Sequence, residues 1–169
     1  RATCRYVGIP DKNIHFQNLP FYETGTIEKN PMGEADVTIT VDLLRQIKPH
    51  QVYCAGDFAD PHGTHIVCFN VVLEALRRCK AASDEWIADC WLWLYKGAWQ
   101  EWDISEIEMA IPMSPEQVMK KRFGIFIHQS QKDMVPFMGS DAREFWQRAE
   151  ERNSNTANLY GKLGLTQYA

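Results

Sequence analysis

The chain has 169 residues, enough to bury the core of one domain. Hydrophobic residues make up 45% and charged residues 24%, the balance of a globular protein rather than a disordered or fibrous one. The net charge of −4, without any basic run, argues against a nucleic-acid surface, and no apolar stretch approaches the roughly 18 residues of a membrane span.

Taken in chain order, residues 1–8 read as the end of a helix, with Gly8 as its stop and Pro10 just beyond. Residues 14–19 read as a strand, and residues 21–33, with two glycines and Pro31, as a loop. Residues 35–48 place Val37, Val41 and Leu44 on one helical face, widened by Leu43 and Ile47, and end before Pro49. Gln51 to Ala55 is a short apolar run that predicts a buried strand. Residues 66–80 then repeat Ile66, Phe69, Leu73 and Leu76 at helical spacing. Trp91 to Tyr95 predicts a third strand and residues 108–112 a fourth, shorter one. Ser114, Pro115 and Gln117 mark a helix start with Met119, Phe123, Phe126 and Ile127 on one face, running to about Gln131. A last helix is expected after Asp141, with Ala142, Phe145, Trp146 and Ala149 inward.

Strands alternating with helices predict an α/β fold, a three-layer Rossmann-like sandwich with a mainly parallel sheet, in a single domain over residues 1–169. No repeat, low-complexity segment or signal peptide is visible. The five cysteines, Cys4, Cys54, Cys68, Cys79 and Cys90, include no C-x-x-C pair and mostly lie in apolar runs. They read as small core residues in a reducing compartment, hence a cytoplasmic protein.

The chemistry concentrates in Gly56-Asp57-Phe58-Ala59-Asp60-Pro61-His62-Gly63-Thr64-His65, a strand-to-helix loop of the kind where α/β sheets collect ligands. His62 and His65, three residues apart, can point at one place, one binding a metal and the other acting as an acid or orienting substrate. Either could instead cap the helix, and a zinc site would need further ligands. Asp57 and Asp60 could orient these histidines or simply close loop turns. His128, late in its helix, reads first as a partner of the helix dipole. Trp86, Trp91, Trp93, Trp99 and Trp102 read as core and loop packing, with sugar stacking as the sharper alternative.

Gly8, the Ile14-His15-Phe16-Gln17-Asn18-Leu19-Pro20 segment, the H-x-x-H loop, and Lys121 leading to His128-Gln129-Ser130-Gln131 together resemble the LmbE-type N-acetylglucosaminyl de-N-acetylases. These are zinc-dependent hydrolases of N-acetylated amino sugars. With the tail from Phe145 to Leu165, the whole chain is similar to the C-terminal deacetylase-like domain of Bacteroidetes proteins whose N-terminal domain resembles glucosamine-6-phosphate deaminase (isomerase). The resemblance implies that His65 is a zinc ligand, that His62 stabilises the oxyanion, and that His128 lies at the site edge. Zinc would bring its bound water towards a pKa of ~7, and a carboxylate would take the proton. The family's opening strand, with its His-Pro-Asp-Asp ligands and base, has no counterpart here, and Gly63-Thr64 stand where the family has Pro-Asp.

The chain is therefore expected to be the C-terminal part of such a domain, lacking its first strand. Zinc belongs to the complete domain and not to this fragment, which alone should be inactive and marginally stable, or rescued by self-association or the absent segment. Two functions follow: a fragment of a zinc-dependent amino-sugar deacetylase, or a non-catalytic sugar-sensing or structural domain serving an attached deaminase. The implied partners are an amino-sugar substrate and the deaminase-like domain, with a homo-oligomer as a further possibility and neither nucleic acid nor membrane.

Overall fold

The computed structural model describes residues 1–26, 28–59, 63–96, 101–129 and 143–164. They show mixed α/β structure: helices α1 (Ala2–Tyr6), α2 (Glu34–Ile47), α3 (Thr64–Ala81), α4 (Pro115–Phe126) and α5 (Phe145–Lys162), and strands β1 (Gln51–Ala55) and β2 (Trp91–Tyr95). Short 3-10 turns occur at Asp11–Asn13, Glu85–Asp89 and Ile104–Glu106. The chain divides into two compact units, one of residues 16–100, the other of residues 1–15 and 101–169.

The unit of residues 16–100 is built on α2 and α3 packed together against a parallel β1–β2 pair, in register from Gln51–Trp91 to Ala55–Tyr95. Helix α2 buries Val37, Val41 and Leu44, the face expected from their spacing, and Lys48 ends it at φ +51° just before Pro49. Helix α3 differs from expectation. Its buried stripe is Val71, Ala75 and Cys79, while Ile66 is exposed and Phe69 and Leu73 are only half-buried. Ala75 and Cys79 share a core with Val37, Val41 and Leu44 of α2. The bulkier Phe69 packs on Phe58 instead, ring centroids 5.1 Å apart. Val52, Leu76, Trp86 and Ile87 complete this core.

Two features of this unit were not legible in advance. The segment before α2 is anchored by Phe21 (1% exposed) and Asp36 (1% exposed). Asp36 accepts from the Phe21 N–H (3.0 Å) and, capping α2, from the Gly33 N–H (2.8 Å). Thr40, also buried, has its hydroxyl within reach of Gln17 Oε1 and the Asp36 carbonyl. Second, β1 is not a buried strand: Gln51 and Tyr53 are exposed, and only Val52, Cys54 and Ala55 are partly covered.

The expected strands at residues 14–19 and 108–112 are also corrected. Ile14 has extended dihedrals, φ −106° and ψ 105°, yet neither segment pairs with another strand among the described residues. An apolar alternation becomes a strand only where a ladder partner exists. The cysteines are corrected too, since only Cys79 is buried and Cys68 is exposed. Burial nonetheless pushes the Cys54 thiol above its ordinary pKa, which keeps it protonated.

In the other unit α1 packs on α4. Gly124 is buried, and a Cβ there would stand 3.6 Å from the Thr3 methyl, so the two helices meet at van der Waals distance. Helix α4 begins as expected: Ser114 Oγ accepts from the Gln117 N–H (3.2 Å), and Gln117 Oε1 accepts from the Ser114 N–H (2.8 Å). It ends at Phe126, short of the expected Gln131, and α5 starts at Phe145. Gln131, Asp141 and Ala142 lie outside the described residues.

Helices α4 and α5 are joined by Arg122, whose guanidinium forks onto Glu150 at 2.7 and 2.5 Å and lies 4.2 Å over the Trp146 ring. Arg122 holds the Glu150 carboxyl below its ordinary range, against an opposing push from burial. A carboxyl with a depressed folded pKa adds stability that is full above the unfolded value, about 4.3, and is lost as pH falls through the folded one. Glu150→Gln should therefore melt below the parent at neutral pH, with the gap closing below about pH 4. Melting curves at both pH values test this; a gap unchanged in acid would show that the charge is not its source.

Candidate functional site

The carboxyl end of β1 runs straight into the loop that holds most of the expected site. Gly56 is buried and its N–H donates to the Tyr95 carbonyl at 2.7 Å, which extends the ladder one residue past the strand. Asp57 follows and is wholly buried. After the loop, Gly63 adopts φ +66°, a left-handed conformation that glycine enters without a Cβ penalty, and its carbonyl accepts from Val67 (3.2 Å) to open α3.

His65 sits in the first turn of α3, half-buried, with Nδ1 3.2 Å from the Asp57 main-chain carbonyl. A carbonyl can only accept, so Nδ1 is the donor in this hydrogen bond. A main-chain acceptor at one ring nitrogen is the kind of contact that commonly orients a metal-ligating histidine. Asp57 stands beside His65, and its main-chain carbonyl makes that contact. Asp60 and His62 lie outside the described residues, so the expected pairing of His62 with His65 does too.

His128 belongs to the unit of residues 1–15 and 101–169. It is exposed, and its Nε2 lies 3.0 Å from the Thr3 hydroxyl. In that unit Lys121 is half-buried. Burial pushes its ammonium below the ordinary lysine value, reinforced by Arg152, while Glu150 and Glu101 oppose the shift. Its Nζ donates to Asn153 Oδ1. An open cleft of about 1190 Å³ runs along α5 beside these residues, lined by Trp146, Gln147, Glu150 and Asn153 with Met113. Sequence reasoning did not single out this cleft. Its polar residues recur at helical spacing and read there as an ordinary solvated face.

For zinc, the fit is limited to one side chain. His65 offers one imidazole nitrogen, and among the described residues no group of three His, Cys, Asp or Glu side chains is close enough to hold a metal ion. The described residues do not complete a zinc site. Among them, no helix is long and apolar enough to cross a membrane.

No protein-family model matches the chain, and no solved structure does either. Over 168 residues, 99% of its length, it is 54% identical to a protein of Bacteroides thetaiotaomicron described as glucosamine-6-phosphate deaminase-like. Those residues are 25% of that protein, so the chain spans a quarter of the curated relative it matches.

Proposed function

We propose that this chain is a non-catalytic, amino-sugar-sensing or structural domain of a cytoplasmic glucosamine-6-phosphate deaminase-like polypeptide. The observation that carries this reading is the match itself: nearly every residue here aligns, at 54% identity, with a quarter of a protein described by deaminase likeness. The parallel β1–β2 pair and its α2–α3 layer would be part of a larger three-layer Rossmann-like sandwich, with the deaminase-like domain N-terminal to it.

A second reading has one specific observation in its favour. The contact of His65 Nδ1 with the Asp57 carbonyl is of the kind that orients a metal-ligating histidine. In a deacetylase His65 would hold zinc when the metal is bound, and zinc would supply an activated water. His62 would face the developing oxyanion, Asp57 or Asp60 would orient the histidines, and His128 would stand at the edge of the site.

The two readings separate on the longer polypeptide, prepared with and without residues 1–169. Ammonia release from glucosamine 6-phosphate is measured against added N-acetylglucosamine 6-phosphate, and acetate release is followed in parallel. The sensing reading expects the added sugar to shift the deaminase concentration dependence at least about fivefold, and expects the shift to vanish without this domain. Identical curves would reject sensing. Acetate release abolished by His65→Ala would transfer the assignment to the hydrolase.

A further inference from the structure

The cleft of about 1190 Å³ runs along one side of α5, within the unit of residues 1–15 and 101–169. Gln147, Glu150, Ser154 and Asn158 line it at three- and four-residue spacing, with Met113 and Val118 as its apolar wall. An exposed helix face is ordinarily filled by strong helix formers such as lysine, glutamate and alanine. Five of the six residues from Asn153 to Asn158 are instead asparagine, serine or threonine, whose short polar side chains compete for the helix backbone and weaken it. No residue of α5 is fully buried, so packing in a core does not explain that choice.

Side chains beside this stripe are held in place. Lys121 donates to Asn153 Oδ1, and an ammonium can only donate, so the amide N–H groups of Asn153 are turned away from it. Asn153 lines the cleft, and those N–H groups are donors for whatever enters it. The Arg122 fork fixes Glu150 and keeps its carboxyl ionised, yet each carboxylate oxygen has acceptor capacity left over. Trp146 lines the cleft as well, with the Arg122 guanidinium 4.2 Å over its ring and the Phe126 ring edge-on at 6.1 Å. Its indole N–H donates to Glu144 Oε2 at 2.5 Å, so the ring is a fixed apolar surface.

What these groups share selects a ligand class. Amides and hydroxyls both donate and accept, as sugar hydroxyls do, and a fixed indole ring offers an apolar plane to the C–H face of a pyranose. A few placed polar groups beside an aromatic wall are the usual make-up of a small-molecule site. The carboxylates of the lining are already paired, Glu150 with Arg122 and Glu151 with Arg143. The cleft therefore lacks the concentrated positive charge that a nucleic acid requires. Lys162, in the lining one turn beyond Asn158, supplies a countercharge for a phosphate carried on such a sugar.

We propose that the cleft along α5 is the amino-sugar site of this domain: the Asn153 amide donates to the sugar, Glu150 accepts from its hydroxyls, Ser154 and Asn158 bond along its polar edge, and Trp146 backs its ring. This rests on the sensing reading given above and names the place where the sugar is held, in a part of the chain that contains neither Asp57 nor His65. The weak helix formers of α5 are then a local loss of stability kept for binding.

Calorimetric titration of the longer polypeptide with N-acetylglucosamine 6-phosphate tests it. Ser154→Ala combined with Asn158→Ala removes two hydrogen bonds to the sugar and should weaken binding about tenfold. The same double variant should melt above the parent, because alanine is the better helix former, so lost affinity is not lost folding. Asn155→Ala, at an exposed position of α5 outside the cleft lining, should also melt higher and should bind as the parent does. Unchanged affinity in the double variant would overturn the cleft assignment, and a sugar effect on ammonia release that persists there would leave the sensing reading standing. Affinity lost in the double variant, with no sugar effect on ammonia release in the parent, would uphold the cleft and reject sensing. A parent that binds no sugar would overturn both.

Discussion

Phe21→Ala should cost about 3–5 kcal/mol, the ordinary penalty for removing a buried aromatic ring. Phe21 is 1% exposed and has the largest side chain among the fully buried residues. The segment around it has no helix or strand of its own, so the ring and a few hydrogen bonds hold it in place. A whole domain has a margin of only about 5–15 kcal/mol, so the variant should approach the point of unfolding under mild conditions. Urea titration gives the number: the midpoint should fall sharply, and a loss under about 1 kcal/mol would mean that the site collapses around the cavity.

The second large effect is at Asp36. Its two carboxylate oxygens accept from the Phe21 and Gly33 N–H groups, and the side chain is buried. Asp36→Ala leaves one donor buried and removes a helix cap. Hydrogen bonds to charged groups are each worth about 1.5–3 kcal/mol, and a lost cap about 1, so a total near 3 kcal/mol is expected. Asp36→Asn keeps one acceptor oxygen and should recover about half of that. Because Phe21 and Asp36 share one bond and one segment, the double variant should lose less than the sum of the singles. Strict additivity would mean that ring and carboxylate act independently.

The local chemistry of the chain was enough to locate most elements. Gln51–Ala55 and Trp91–Tyr95 form strands at the expected limits, because short apolar runs bounded by proline, glycine and polar residues have few other uses. Ser114, Pro115 and Gln117 open α4 because capping uses atoms within four residues of one another. The position of His65 at the mouth of α3, with Gly63 turning the chain before it, was legible for the same reason.

Other features needed partners far along the chain. The buried stripe of α3 is Val71, Ala75 and Cys79, of which Ala75 and Cys79 pack with α2, whereas hydrophobicity alone selects the bulkier Ile66, Phe69 and Leu73. Residues 14–19 have strand-like residues and form no ladder among the described residues, since a ladder requires a second strand that no local pattern specifies. The bond from His65 to the Asp57 carbonyl, which fixes where the ring sits, spans a loop whose closure only the folded backbone determines. The sequence by itself therefore determined where helices and strands begin and which residue types meet at the end of β1. The tertiary structure decided which helix faces are buried, which strands pair, and which carbonyl His65 meets, because each of these depends on how the folded backbone brings separate segments together.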